Sequence, residues 1–155
     1  MGMDCEINAI VRKKNNPKEN VRIELAYWRK TYSLRDELVE IASNSPYLIS
    51  TEAGDVVFNC RPQILIDIIT RFAAGLTDDN DYLWKDSIWS PAQTKDITIE
   101  NMRKLCAFNS YLNNNVDDDE RSYLLGITDE EEIALDEWRR DPFSYELIIE
   151  IVNSY

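Results

Sequence analysis

The sequence predicts a helix-rich α+β fold with a small antiparallel sheet, formed as a single globular domain over residues 1–155. A chain of this length is the size of one ordinary domain, and its hydrophobic content of 44%, with 10% aromatic residues, is sufficient for a core. Helical spacing of apolar residues extends over most of the sequence. Strand signals are confined to residues 3–12 and 47–60, which predicts a sheet of only two or three strands.

The first predicted elements are a strand and a long helix. Apolar residues alternate weakly along residues 3–12, and the stretch rich in asparagine and lysine that follows predicts a turn. Residues 21–43 form the longest run that fits a helical period, with one polar arc and one unusually wide apolar arc. We expect this helix to be the most buried element and the rest of the chain to be arranged around it.

A hairpin and a second helix follow. Residues 47–51 and 56–60 fit two strands joined by a tight turn at Gly54. Pro62 suits the first turn of a helix, and residues 63–75 continue with helical spacing. The β-branched isoleucines of this segment also fit a buried strand, which is the alternative.

The middle of the chain predicts a loop and a third helix. Residues 76–97 show no sustained period, but Trp84 and Trp89 lie there among aspartates, so we expect a loop folded against the body. Thr98 is a suitable N-cap for a helix over residues 99–115.

Three further helices complete the predicted fold. An acidic run at residues 117–120 predicts one helix start, and Thr128 with Glu131 forms a capping box that opens another helix. Residues 141–152 predict a final helix whose apolar side chains, including Phe143, close the core.

The net charge of −12 is concentrated in one part of the chain, because residues 112–141 hold eleven carboxylates against three arginines. Such a surface repels phosphate groups, so direct binding of DNA or RNA is not expected. The acidity either keeps the protein soluble or complements a basic partner and steers its association. The candidate acidic surface consists of Asp117, Asp118, Asp119, Glu120, Glu130, Glu131 and Glu132.

The chain offers little for catalysis. It contains no histidine, which removes the commonest general base and most zinc sites, and it has no glycine-rich phosphate-binding motif. The acidic stretch at residues 78–86 lacks the central glycine and terminal glutamate of a calcium loop, and the carboxylates at 117–120 would diverge on a helix rather than hold magnesium. We expect no metal and no cofactor, and an enzyme working through carboxylates such as Glu24 is the least favoured function.

The expected location is the cytoplasm. The longest apolar run is interrupted by Asp67, and the first residues do not form a signal peptide, so no membrane partner is expected. The three cysteines are odd in number and far apart, which predicts reduced core residues rather than disulfides or a zinc site.

Polar side chains inside the apolar arc of the predicted long helix are the first candidates for a site. They are Glu24, Thr31 and Arg35. Burial of these side chains would be costly unless another element provides a hydrogen-bond or ion-pair partner for each. The alternative is that Glu24 lies near the helix start and that Arg35 extends to water.

Aromatic residues are the second set of candidates for a recognition surface, and they are Tyr27, Trp28, Tyr82, Trp84, Trp89 and Trp138. Tryptophan and tyrosine are enriched at binding hot spots, but in a small domain they are also common in the core. Arg29 and Lys30, beside Trp28 in the sequence, either face water or contact an anion or a partner next to an aromatic platform.

The YWRK tetrad at residues 27–30, followed by Leu34 and Arg35, resembles a family of small bacteriophage and prophage proteins. In that family an N-terminal strand is followed by a helix that carries this motif, so the resemblance covers residues 1–45. Arg35 stands where the family has a histidine, and Glu37 stands where it has a bulky apolar residue. The resemblance implies a phage origin rather than a particular chemistry.

Two functions are therefore predicted. The favoured one is a phage-encoded accessory protein that binds a host protein in the host cytoplasm and inhibits a defence or regulatory factor, using its acidic face and exposed aromatic residues. The alternative is a small-molecule binder, such as a protein that sequesters a nucleotide signal, in which Arg29, Thr31 and Arg35 act with a stacking tryptophan. That alternative requires a concave pocket around these residues.

Overall fold

The computed structural model describes residues 4–77, 84, 88–113 and 126–154. In chain order, its strands are β1 (Asp4–Lys13), β2 (Asn16–Arg29), β3 (Leu48–Glu52), β4 (Val57–Cys60) and β5 (Tyr145–Ser154). Its helices are α1 (Tyr32–Ser43), α2 (Ile64–Thr77), α3 (Pro91–Leu112) and α4 (Asp129–Arg140). The prediction of a helix-rich α+β fold with an antiparallel sheet is confirmed.

The five strands form one antiparallel sheet in the order β2-β1-β5-β4-β3. β1 and β2 make a long hairpin, whereas β3 and β4 make a short one. The C-terminal strand β5 joins the two hairpins, because it pairs with β1 on one side and with β4 on the other. The sheet is larger than the predicted two or three strands because two segments expected to be helical are strands.

The long helix predicted over residues 21–43 is the first correction. Its first part belongs to β2, and only its second part is helical, as α1. Val21, Ile23 and Leu25 alternate with charged residues, and this period of two places them on one face of a strand. Lys30, with a φ of 50°, turns the chain between β2 and α1.

The C-terminal segment is the second correction. The predicted helix over residues 141–152 is a turn followed by β5, in the centre of the sheet. Ile148 and Ile149 point to opposite faces, and both are buried. A central strand buried on both faces has a nearly continuous apolar sequence, which periodicity alone does not distinguish from a helix.

The helix boundaries agree with the sequence in two cases and differ in one. The helix after Pro62 and the capping box at Thr128 are confirmed. Helix α3 begins earlier than predicted, with Ser90 as its N-cap, and Thr98 is a buried residue inside it whose hydroxyl donates to the carbonyl of Thr94 at 2.8 Å. The helix start expected at residues 117–120 lies outside the described residues.

The hairpin turn between β3 and β4 is also confirmed. Ala53, Gly54 and Asp55 all have positive φ values, of 52°, 62° and 69°. A glycine at the centre tolerates this left-handed conformation at no steric cost, which is why the turn forms there.

All four described helices contribute to one hydrophobic cluster on one face of the sheet. Trp28 of β2 lies within it, where its indole N–H donates to the hydroxyl of Thr98 at 3.0 Å and its ring meets Phe72 edge to face at 5.6 Å. Within the described ranges, no helix is both long and apolar enough to cross a membrane.

The second face of the sheet carries a polar cluster around Glu150 of β5. Asn8 donates to one carboxylate oxygen of Glu150 at 3.1 Å, and Arg22 lies 3.4 Å from the other. Asn59, the neighbour of Glu150 on β4, donates to Glu52 at 3.2 Å. These polar groups satisfy one another, so we assign this cluster a structural role.

Candidate functional site

A gap in the sheet lies beside the first residues of β5. Strand β4 ends at Cys60, which is paired with Ile149, and the chain then turns away towards α2. Pro62 follows almost at once and cannot continue a ladder, because proline has no backbone N–H. In the described part of the chain, residues 145–148 of β5 therefore pair with β1 on one side and have no strand on the side of β4.

The gap forms a groove of about 450 Å³. It is lined by Lys14, Ile49, Arg61, Pro62, Gln63, Trp138, Pro142, Tyr145, Glu146 and Leu147. A second groove of about 180 Å³ shares Pro62, Gln63 and Trp138 with it and continues to Ile66 on α2. We refer to the two together as the Trp138 groove.

Two large apolar side chains lie exposed in this groove. Ile49 of β3 is 49% exposed and Ile66 of α2 is 52% exposed, and both line the groove. Phe143, in the turn between α4 and β5, is 89% exposed but lines neither part of the groove. Single exposed apolar residues are common, but several around one concave surface are typical of an interaction site. Trp138, in the last turn of α4, provides an aromatic wall for it.

Among the charged side chains that line the groove, those without an ion pair to a described residue are both positive. Glu146 is paired with Arg12 at 2.6 Å, whereas Lys14 and Arg61 are exposed and form no ion pair with any described residue. Two such cations in a protein of net charge −12 make this a locally basic surface.

A third groove, between α1 and α2, has about the same volume, 460 Å³. Its main charged side chain, Arg71, donates to Glu37 and lies 3.7 Å from Glu40, so its positive charge is already paired with two carboxylates. The Trp138 groove is therefore the better candidate for a binding site.

For two of the candidate tryptophans, Trp28 and Trp84, burial agrees with the alternative that they belong to the core. Trp28 is completely buried, and Trp84 is 3% exposed. Trp28 belongs to the core for the reason given above, since both its ring and its N–H are satisfied internally. Trp89 is half-buried, and of the predicted aromatic residues only Trp138 lines a groove described here.

The polar candidates are not brought together. Glu24 is exposed on β2, and Thr31 is buried and donates to the carbonyl of Arg29 at 3.2 Å. Arg35 lies on α1, where its guanidinium is 3.7 Å from Asp36. These positions differ from the prediction because the supposed single helix is a strand followed by a helix.

Two basic candidates follow Trp28. Arg29 is exposed at the end of β2, and Lys30 is half-buried in the connection to α1. None of the three grooves described here is lined by Arg29, Thr31 or Arg35, so the geometry gives no support to the predicted small-molecule pocket.

Part of the acidic surface lies at the start of α4. Glu130, Glu131 and Glu132 are in the first turn of that helix, where negative charge is favourable for the helix dipole. Glu131 also closes the capping box with Thr128. Asp117, Asp118, Asp119 and Glu120, and the acidic stretch considered for calcium apart from Trp84, lie outside the described residues.

Two cysteines are buried free thiols. Burial raises the pKa of Cys5 from 9.0 to about 12, and it raises the pKa of Cys60 to the same value. Both thiols are therefore protonated at neutral pH, which makes them poor nucleophiles.

The groove residues that the sequence did not reveal are mainly Ile49 and Arg61, and Phe143 lies exposed next to Pro142 of the groove. Phe143 was expected in the core, but the turn that replaces the predicted helix directs it outward. The available signal was its position directly after Asp141-Pro142, a pair typical of turns.

Comparisons with protein-family models, with curated proteins and with solved structures gave no match for this chain.

Proposed function

We propose that this is a phage-encoded accessory protein that binds a host protein and thereby inhibits a defence or regulatory factor. The resemblance of the YWRK stretch to phage proteins supports the origin and the choice of a host partner. The observation that supports binding is the Trp138 groove with its two exposed isoleucines, Ile49 and Ile66.

The groove has the features that protein-binding surfaces share. Aromatic and apolar anchors at the centre of a concave patch supply most of the binding free energy in such interfaces, while polar side chains at the rim provide specificity. Here Trp138 and Pro62 lie at the centre, and Lys14 and Arg61 supply the polar groups.

The acidic residues play a different part in this proposal. Glu130, Glu131 and Glu132 lie at the opposite end of α4 from Trp138, so they act at a distance, by attracting a partner with a basic surface and increasing the rate of encounter.

The proposal is tested by removing the most exposed anchor. The protein is used as bait in a lysate of the host bacterium, the captured protein is identified by mass spectrometry, and its Kd is then measured with purified components. Ile66→Ser, which changes a side chain that lines the groove, should weaken binding by about tenfold or more, as loss of a hot-spot side chain does.

Ile133→Ser is the matched control. Ile133 is 56% exposed on α4 but lines none of the grooves described above, so its substitution should leave the Kd unchanged. Equal effects of the two substitutions, or no effect of either, would remove the Trp138 groove from the binding site.

A further inference from the structure

We propose that the Trp138 groove binds an extended peptide segment of the partner, which pairs with β5 in the position that β4 leaves vacant and carries a carboxylate next to an apolar side chain. This inference rests on the binding function proposed above and specifies the kind of segment that the groove accepts.

The backbone of β5 offers hydrogen-bonding groups towards the groove. The N–H of Asn153 donates to the carbonyl of Val56 at 2.8 Å, so it points to the β4 side. In an antiparallel ladder every second residue points its N–H and C=O to the same side. Counting back along β5 from Asn153, this set includes Ile149, which is paired with β4, and then Leu147.

Leu147 is the first residue of this set that β4 does not reach. By the same register, the residue opposite Leu147 would be Pro62, which has already left the sheet. The nearby N–H of Arg61 donates instead to the carbonyl of Tyr47 at 2.8 Å. Among the described residues, no hydrogen bond joins the backbone of Leu147 to any group on the groove side.

An extended peptide satisfies these backbone groups. Strand addition to an open sheet edge provides affinity through main-chain hydrogen bonds and specificity through alternate side chains. The vacancy covers only residues 145–148, and the N–H of Tyr145 already donates to the carbonyl of Asp141 at 3.2 Å, so a short segment of the partner that pairs with Leu147 fills it.

The opposite edge of the sheet is protected against such pairing. Lys104 of α3 donates to the carbonyl of Glu24 at 2.7 Å, and Asn101 of α3 donates to the carbonyl of Tyr27 at 2.9 Å. Side chains that occupy the carbonyls of an edge strand prevent pairing with another chain. Side chains of α3 therefore block the long edge of β2, whereas in the described part of the chain nothing pairs with Leu147 of the central strand β5 on the groove side.

The side chains of the groove define the chemistry of the segment. Trp138 and Pro62 provide an apolar wall for one side chain. Lys14 and Arg61, which form no ion pair with a described residue, provide positive charge for a neighbouring carboxylate. A second copy of this chain is a poor occupant, because each copy carries a net charge of −12 and the two repel each other.

The test uses the ¹⁵N-labelled full-length protein and a synthetic peptide, acetyl-TVLEVT-amide. We expect saturable NMR shifts at the Leu147 amide and the Trp138 indole. The same peptide with an N-methylated leucine, which lacks one backbone donor, should bind at least about fivefold more weakly. Replacing the glutamate of the peptide by lysine should also weaken binding about fivefold.

A pair of variants tests the charge preference. Arg61→Gln should reduce the difference between the glutamate and lysine peptides, whereas Arg103→Gln, an exposed arginine on α3 outside the groove, should leave it unchanged. Equal effects of the two variants would contradict the assigned role of Arg61.

Three results overturn the proposal. The first is the absence of shifts at Leu147 and Trp138 at millimolar peptide, and the second is equal binding of the N-methylated peptide. The third is slow hydrogen exchange at Leu147 that depends on protein concentration without peptide, which would identify a second copy as the occupant. If Ile66→Ser still weakens binding of the captured partner, the binding function stands and only strand addition fails.

Discussion

Trp28 is fully buried although its indole carries a hydrogen-bond donor, because Thr98 accepts that hydrogen inside the core. The hydroxyl of Thr98 donates in turn to Thr94, so each polar group in this chain of contacts is satisfied. The sequence could predict that Trp28 contacts other apolar residues. It could not predict the partner of its N–H, because that partner lies 70 residues away in the chain.

Replacing Trp28 by alanine should lower the free energy of unfolding by about 3–5 kcal/mol, because it leaves a large cavity and removes a hydrogen bond. Urea unfolding followed by circular dichroism measures this loss. Tyr32→Ala is the control, since Tyr32 is exposed and its loss should cost less than about 1 kcal/mol. A loss for Trp28→Ala as small as that of the control would contradict the placement of Trp28.

Thiol reactivity provides a second test at the residue scale. At pH 8 the folded protein should react slowly with a disulfide reagent at Cys5 and Cys60, because burial raises the pKa of both thiols to about 12. The half-buried Cys106 should react faster, and Cys106→Ser should remove only this faster phase. Rapid modification of all three thiols without denaturant would show that the core is open.

The same pKa shifts set a direction for the pH dependence of stability. Since the folded pKa lies above the unfolded value of 9.0, the thiols stabilise the fold fully below pH 9, and this contribution is lost as the pH rises towards 12.

At the scale of elements, the sequence predicted the helices and the short hairpin better than the two long strands. The hairpin at Gly54 and the capping box at Thr128 depend on local rules, which a sequence shows directly. Strands β2 and β5 depend on pairing with segments that lie far away in the chain. Their apolar residues fit a wide helical face as well as they fit a strand, so the tertiary pairing decides.

The protected edge of β2 leads to a prediction at this scale. Lys104→Met combined with Asn101→Ala frees the carbonyls of Glu24 and Tyr27, which then form an open strand edge. Sedimentation velocity should show that the double variant self-associates as protein concentration increases. The control Arg103→Met, on the same helix, should sediment like the original chain. A double variant that sediments like the original chain would mean that these contacts do not protect the edge.

At the scale of the whole molecule, charge and apolar exposure lie at different places. The described part of the acidic surface is at the start of α4, and the Trp138 groove with its two cations is at the end of that helix. The sequence predicted the overall charge, and Trp138 was among its aromatic candidates. It could not predict the groove. The groove forms because β4 pairs with residues 149–152 of β5 and ends before it reaches residues 145–148.

The overall charge leads to a prediction about association rates. If the acidic surface steers a basic partner, the association rate should fall steeply as salt increases, because exposed charges are screened over about 10 Å at 0.1 M ionic strength. Stopped-flow measurements with the captured partner at low and high salt give this dependence. An association rate that does not change with salt would remove steering from the account.

The most direct test of the binding site is hydrogen exchange of the full-length protein with and without the captured partner. We predict slower exchange of backbone amides at Leu147, at Ile49 and around Trp138, because the partner covers the groove and pairs with β5. Protection confined to the start of α4, or to α1 and the connection at Lys30, would contradict the assignment of the Trp138 groove as the binding site.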